Sequence, residues 1–327
     1  MTAESANGAV SIVVAAHNEG DNVRRTVESI VGNTDTPEFE IVLVDDGSTD
    51  DSFAFLSRVP HAGDRRLRCY RFGESVGCIR ARHQGSRLAQ YDHIVFLDAH
   101  VSVPQGWLAA LERTLLRWGP HIAITPDVST LNEETWSANP STGQVLTIDE
   151  DLGFVWQNLR YPTRLMATAG GCCVFMTKQL YRQCGGFDLG LRRWGCEFID
   201  LIMKVYAIGG ACYLEPSVLV GHLFRSGFPY PMDYRDVTYN KLRIGYIHLS
   251  DIAFRNLLER LTQQHGFTEA MVAFRADLHE IDHLRRARQA ANRRDEDWFV
   301  RMFLPGLDPR WRSEPPTVNP IGFVTAG

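Results

Sequence analysis

Lysine is nearly absent from this chain of 327 residues: Lys178, Lys204 and Lys241 are its only occurrences, so most of the 34 basic residues are arginine. Positive charge is not in excess either. Asp and Glu number 39, the formal net charge is −5, and a nucleic-acid surface, which needs clustered basic charge, is not expected. No uncharged stretch approaches the roughly 20 apolar residues of a membrane helix. Met1 to Gly8 lacks the basic stretch followed by an apolar run that marks a signal peptide. Seven cysteines, an odd number that includes the neighbours Cys172 and Cys173, make no regular disulfide framework. They read as buried apolar residues in a reducing compartment, which predicts a cytoplasmic protein. There is no internal repeat with a period of about 20 to 50 residues. The first βα turn, His17-Asn18-Glu19-Gly20, is not the glycine-rich basic loop of a nucleotidyltransferase.

What is present is a strand–helix alternation. Val10 to Ala15 is a nearly continuous apolar run that fits a strand buried on both faces. Asp21 can cap the helix that follows, in which Val23, Val27, Ile30 and Val31 recur at helical spacing. Ile41 to Val44 and Ile94 to Leu97 repeat the pattern. Each of the three strands ends in a polar cluster: His17-Asn18-Glu19, Asp45-Asp46-Gly47-Ser48 and Asp98-Ala99-His100. Such alternation predicts a mostly parallel sheet with helices on both faces, and in these sheets ligands bind beyond the carboxyl ends of the strands. Further on, Ser137 to Asp151 reads as a long loop. A helix is expected from Lys178, and another from Glu197 with Phe198, Leu201, Ile202, Val205 and Tyr206 on one face. Asp233 to Arg301 is helical in pattern, its interleaved charges marking solvated faces.

Asp98 and His100 project to the same side of one extended strand end and can chelate a metal. The triplet alone is equally an exposed turn. The wider set of motifs is more telling. Ser11-Ile12-Val13-Val14 through His17-Asn18-Glu19, with Val44-Asp45-Asp46-Gly47-Ser48-Thr49-Asp50, resembles the donor half of family 2 glycosyltransferases. Phe96-Leu97-Asp98-Ala99-His100, Gly170-Gly171, Trp194-Gly195-Cys196-Glu197 and Val220-Gly221-His222-Leu223-Phe224-Arg225 resemble more closely the catalytic domain of the polypeptide N-acetylgalactosaminyltransferases. The similarity runs from Val10 to Arg243.

The resemblance implies a GT-A fold, that is, a Rossmann-like, mostly parallel α/β sheet with a helical C-terminal segment. It also implies a UDP-sugar donor and Mn²⁺, or Mg²⁺, held by Asp98, His100 and His222. Two imidazoles and a carboxylate suit Mn²⁺. Asp46, or its neighbour Asp45, would accept a hydrogen bond from uracil N3–H. Ala15, His17 and Glu19 would flank the base, although the family often has a hydroxyl residue where Ala15 stands. Gly77, Arg80 and Arg82 match a run that would offer guanidinium groups to the donor phosphates. Ala99 lies between two ligands, and Gly170 and Gly171 would let the sugar approach the backbone. Arg225 and Tyr230 fall in a segment resembling the family's closing loop.

Glu197, with Asp98 and Trp194, is assigned to the reaction centre. Inverting members place a base aspartate directly after a glutamate, and Phe198 stands at that position, so retention of configuration is expected. The alternatives are an inverting enzyme with Glu197 as base, and a non-catalytic nucleotide-sugar-binding protein. The expected layout is a catalytic domain over 1–232, with a nucleotide half 10–130 and an acceptor half 131–232, and a helical extension over 233–327. A bacterial source, homo-oligomerisation through the C-terminal helices, and a small molecule, glycan or peptide as acceptor complete the expectations.

Overall fold

A computed structural model describes residues 8–36, 38–58, 63–158, 164–225, 227 and 233–311. Strand β1 (Val10–Ala16) leads through helix α1 (Asn22–Asn33) to β2 (Phe39–Asp45), then to β3 (Leu67–Arg71), α2 (Cys78–Leu88), β4 (His93–Asp98), the two-residue β5 (Val101–Ser102) and α3 (Trp107–Trp118). Asp21 stands at the N-terminus of α1 but makes no side-chain cap; it is ion-paired to Arg24 instead. β3, β2, β1 and β4 are neighbours and parallel, in a register that sets Ala15 opposite both Val44 and Asp98. The three polar strand ends therefore reach the same edge of the sheet.

The second half departs from a simple parallel sheet. β6 (Ile122–Asn132) is followed by β7 (Ser137–Ala138), β8 (Gln144–Ile148), β9 (Phe154–Asn158) and β10 (Cys173–Thr177). β10 inserts antiparallel between β4 and β6, and β11 (Ala211–His222) runs parallel to β6 and antiparallel to β5. The order β3-β2-β1-β4-β10-β6-β11-β5, with β7 on β6, is thus mixed. The loop expected over 137–151 instead holds β7 and the first arm of a β8–β9 hairpin, which pairs only with itself. Pro140 and Gly143 lie in the short connection between β7 and β8 rather than in one long loop.

Helix α4 (Lys178–Gln183) starts where expected, capped by the Thr177 hydroxyl. Helix α5 (Glu197–Ala207) does not have one apolar face: its residues from Glu197 to Tyr206 are all buried. Its charges are paired internally, with Lys204 Nζ 2.5 Å from Asp200. Behind it lie α6 (Tyr234–His248), α7 (Asp251–Leu261), α8 (Phe267–Ala276), α9 (Leu278–Ala291) and α10 (Trp298–Phe303). The charges of α6 are not all solvated, since Arg243 is fully buried. The hydrophobic core runs from β1 through these helices to Leu307. Phe96 sits near its middle against Tyr181, Phe187 and Phe198, and burial of such a ring contributes roughly 1.5–3 kcal/mol. The boundary expected after residue 232 falls at 228–232, outside the described residues.

Candidate active site

The strand ends open into a cleft of about 720 Å³. On its floor Asp98, His100 and His222 each bring a ligand atom, and these atoms lie within 4.8 Å of one another. Backbone pairing sets this geometry. His222 at the end of β11 is in register with Val101 of β5, and Leu223 N donates to His100 O at 3.1 Å. His222 Nε2 is 3.3 Å from Asp98 Oδ2, while its Nδ1 is buried without a hydrogen-bond partner among the described residues. Burial pushes the His222 imidazole below its ordinary value although Asp98 opposes this. A neutral imidazole is the form that binds a metal. The donor set, its convergence and the orphaned nitrogen all fit a divalent cation.

Asp98 is anionic. Burial alone would raise its carboxyl, but the Arg82 guanidinium, with His222 and His100, outweighs burial and holds it well below the usual carboxylate range. Arg82 is itself buried and bridges two carboxylates, giving Nη2 to Asp98 and Nη1 to Glu197. Burial works against its charge, yet Asp98 and Glu197 keep it raised.

Arg80 does not join them. Its Nη2 donates to Leu189 O at 2.9 Å, and its side chain does not line the cleft. Arg80, expected to meet the donor phosphates, thus lies off the cleft, and the helical period contained the reason: Ile79, Arg82 and Ser86 share the buried face of α2, whereas Arg80 points away from it.

Asp45 does not line the cleft either. It is buried beneath the turn, accepts from Ser48 N at 2.7 Å and pairs with Arg71. Asp46 is the residue on the cleft. Its carboxylate accepts from Ser75 Oγ, Val76 N and Gly77 N at 2.7 to 3.0 Å. A carboxylate has about four lone-pair sites, so one is left for a ligand N–H. Ala15, His17 and Glu19 line the same end of the cleft, as does Ala99 beside the metal cluster. His17 Nδ1 is 2.7 Å from Asp46 O. Glu19 is held below its ordinary value: burial would raise it, but His100 and Arg225 outweigh that effect. Arg225 forks onto both Glu19 oxygens. Tyr230 lies outside the described residues.

Of the glycine pair, Gly171 faces the cleft, and a Cβ there would come within 3.0 Å of the Phe198 ring. Gly170 is tucked behind, donating to Thr125 Oγ1 at 3.2 Å, and does not line the cleft. Gly77 has φ +91° and packs on the backbone of Arg193, 2.7 Å from where a Cβ would sit. Trp194 and Glu197 also line the cleft. Sequence reasoning missed Cys78 and Arg193, which also line the cleft, and the exposed aromatics Phe154, Trp156 and Phe224 at its mouth. Phe154 and Trp156 lay in a stretch without a metal or charge motif to flag them, and Phe224, although within the motif at 220–225, was given no role of its own.

A family model for glycosyl transferase family 2 matches residues 11–183. A putative polypeptide N-acetylgalactosaminyltransferase 13 of Drosophila melanogaster is 29% identical over 322 residues, 91% of this chain and 56% of its own length. Polypeptide N-acetylgalactosaminyltransferase 14 of Homo sapiens is 30% identical over 235 residues, 67% of this chain and 41% of its own. The chain spans about half the length of the curated relatives it matches. These relatives are animal proteins and give no support to the expected bacterial source. The crystal structure of GalNAc-T7 with UDP, GalNAc and Mn²⁺ superimposes with a TM-score of 0.69 at 21% identity, covering 85% of this chain and 58% of that one. S. aureus TarS 1-349 in complex with UDP-GlcNAc gives 0.57 at 15%, covering 90% of each chain. These likenesses establish the GT-A fold. Among the described residues no helix is long and apolar enough to cross a membrane.

Proposed function

Because the chain belongs to glycosyl transferase family 2, we propose that its cleft binds a UDP-sugar with Mn²⁺, or Mg²⁺, and transfers the sugar to an acceptor with retention of configuration. The observation that carries this reading is the convergence of Asp98, His100 and His222 beside Asp46, whose carboxylate retains an accepting position. A bound Mn²⁺ supplies charge that stabilises the departing diphosphate. Asp46 selects uracil by accepting its N3–H, Gly171 lets the sugar lie close to the backbone, and Trp194 shields it from water. The names of the relatives favour an N-acetylhexosamine as the sugar and a polypeptide as the acceptor. Phe154, Trp156 and Phe224 offer aromatic faces at the mouth for apolar acceptor groups.

Retention is supported by the state of Glu197. Its Oε1 is engaged by Arg82, and its neighbour Phe198 is an apolar ring against Gly171. An inverting reaction needs a base on the far side of the sugar, and neither residue suits that work. The seven cysteines, all free and five of them buried, support a reducing compartment. The division at residue 232 and a homo-oligomer through the C-terminal helices belong to the same proposal.

Calorimetry tests the donor half: UDP should bind in Mn²⁺ and lose that affinity in EDTA, and equal affinity in both would sink the reading. Product NMR tests the stereochemistry. An α-linked UDP-sugar should give an α-linked product, and a large diaxial coupling at the anomeric proton of a gluco- or galacto-configured product would establish inversion instead.

A further inference from the structure

We infer that Asn240, on α6 behind the cleft, is a positioning residue for the wall that carries Trp194 and Glu197. This rests on the cleft being the donor site proposed above.

The wall is a turn that does not hold itself. Arg193 and Cys196 adopt φ of 37° and 70°, on either side of Gly195 at 93°. Residues with a Cβ are strained in that left-handed region and stay there only where their surroundings over-determine them. The turn belongs to no strand ladder or helix. Its restraint comes from Asn240, a fully buried side chain. Asn240 Oδ1 accepts from Arg192 N at 2.7 Å, and Nδ2 faces Arg192 O, Trp194 O and Gly195 O at 2.9, 3.1 and 2.9 Å. Only a primary amide both accepts and donates in this way, and its two N–H groups serve three carbonyls.

Neighbouring groups extend the clamp. One helical turn on, Arg243 grips both oxygens of Asp188 at 2.7 and 3.0 Å and also pairs with Glu280 of α9. From the opposite side, Arg80 holds Leu189 O, and Gly77 backs onto Arg193. Asn240 itself does not line the cleft, and its bonds go to backbone atoms alone. Its loss should therefore move the Trp194 wall and leave the strand-end cluster in place.

The test compares Asn240→Asp with Leu242→Ala. The first keeps size and acceptor but turns a carboxylate toward three carbonyls. The second removes buried core from the same helix without touching the turn. In hydrogen exchange read by mass spectrometry, Asn240→Asp should speed the amides of 192–197 by about tenfold or more, with β1 and β4 unchanged. In the same variant kcat should fall by about tenfold or more through misplacement of the wall, while UDP affinity in Mn²⁺ stays within about threefold because no nucleotide or metal contact is lost. Leu242→Ala should lower the melting temperature without either local effect. Wild-type exchange over 192–197, an unchanged kcat in Asn240→Asp, or the same exchange and kcat losses in Leu242→Ala at an equal drop in melting temperature would each overturn the inference. The exchange measurement needs no substrate. A wild-type protein that binds no UDP–Mn²⁺ would instead remove the donor reading and leave the exchange result standing.

Discussion

The two walls of the cleft are built by different means. On the Asp46 and Asp98 side, functional groups stand at the ends of strands whose register is fixed by ladder hydrogen bonds, within a few residues of the segment that positions them. On the Trp194 side they stand on an irregular turn, held by Arg80 from α2 and by Asn240 and Arg243 from α6. Local pattern specifies the first wall and long-range contact the second. The first should tolerate distant mutation, and the second should not.

The sharpest way to break this comparison is at the metal cluster. Asp98→Ala should lower kcat by about a thousandfold, the scale on which a fixed electrostatic stabiliser acts, and should also lower the melting temperature, because Arg82 loses one of its two carboxylate partners. Near-normal UDP release by that variant would show that the strand-end wall is not where the chemistry lies.

Arg82 tests the seam between the walls, because it touches Asp98 on one and Glu197 on the other. Arg82→Met leaves two buried carboxylates without their shared partner. Breaking a buried pair from one side costs about 3–5 kcal/mol, which urea denaturation would register. A loss below about 1 kcal/mol, the range of exposed pairs, would mean that the bridge is solvated.

A smaller effect should appear in acid, and part of it comes from the helices behind the second wall. His248 of α6 lies 2.8 Å from Asp200 of α5. Burial lowers the His248 imidazole from its ordinary 6.5 although Asp200 opposes this. The unfolded chain therefore takes the proton first as pH falls, and stability present above about pH 6.5 is lost below it. Asp200 is also depressed: burial would raise it, but Lys204 and His248 outweigh burial. Its contribution is present above about pH 4, near the unfolded carboxyl value, and is lost progressively as pH falls below that toward its own lowered value. Denaturant titration of His248→Gln should reduce the upper slope, to which the likewise depressed His222 also contributes; an unchanged upper slope would remove His248 as a source.

The least should come from Arg80→Ala. Exposed side chains usually change stability by no more than about 0.5 kcal/mol, and UDP affinity should stay within about twofold. A large loss of UDP affinity would restore Arg80 as a phosphate ligand.

The sequence was most legible where chemistry and strand end coincide. The clusters holding Asp46, Asp98 and His100 could be picked out because they interrupt apolar runs, whereas His222 was singled out only by the family resemblance. Arg80 was matched by motif alone, without regard to which face of α2 is buried, and its side chain lies off the cleft. The β8–β9 hairpin went unread because its strands pair only with each other, so proline and glycine in the stretch before it outweighed a weak strand pattern. Asn240 was invisible for a stronger reason: its partners stand more than forty positions earlier, and an asparagine on a charged helix looks like surface.

The antiparallel insertion of β10 has a consequence for synthesis of the chain. β3, β2, β1 and β4 are contiguous in the sheet and complete once residue 98 has been made, but the free side of β4 is covered only when Cys173–Thr177 arrive. Until then β4, with Ile94 to Leu97 wholly apolar, presents an unpaired edge of the kind that recruits other chains. A chain ending before Cys173 should therefore aggregate even though every strand of its parallel unit is present, whereas one that extends past Thr177 has the means to cover that edge.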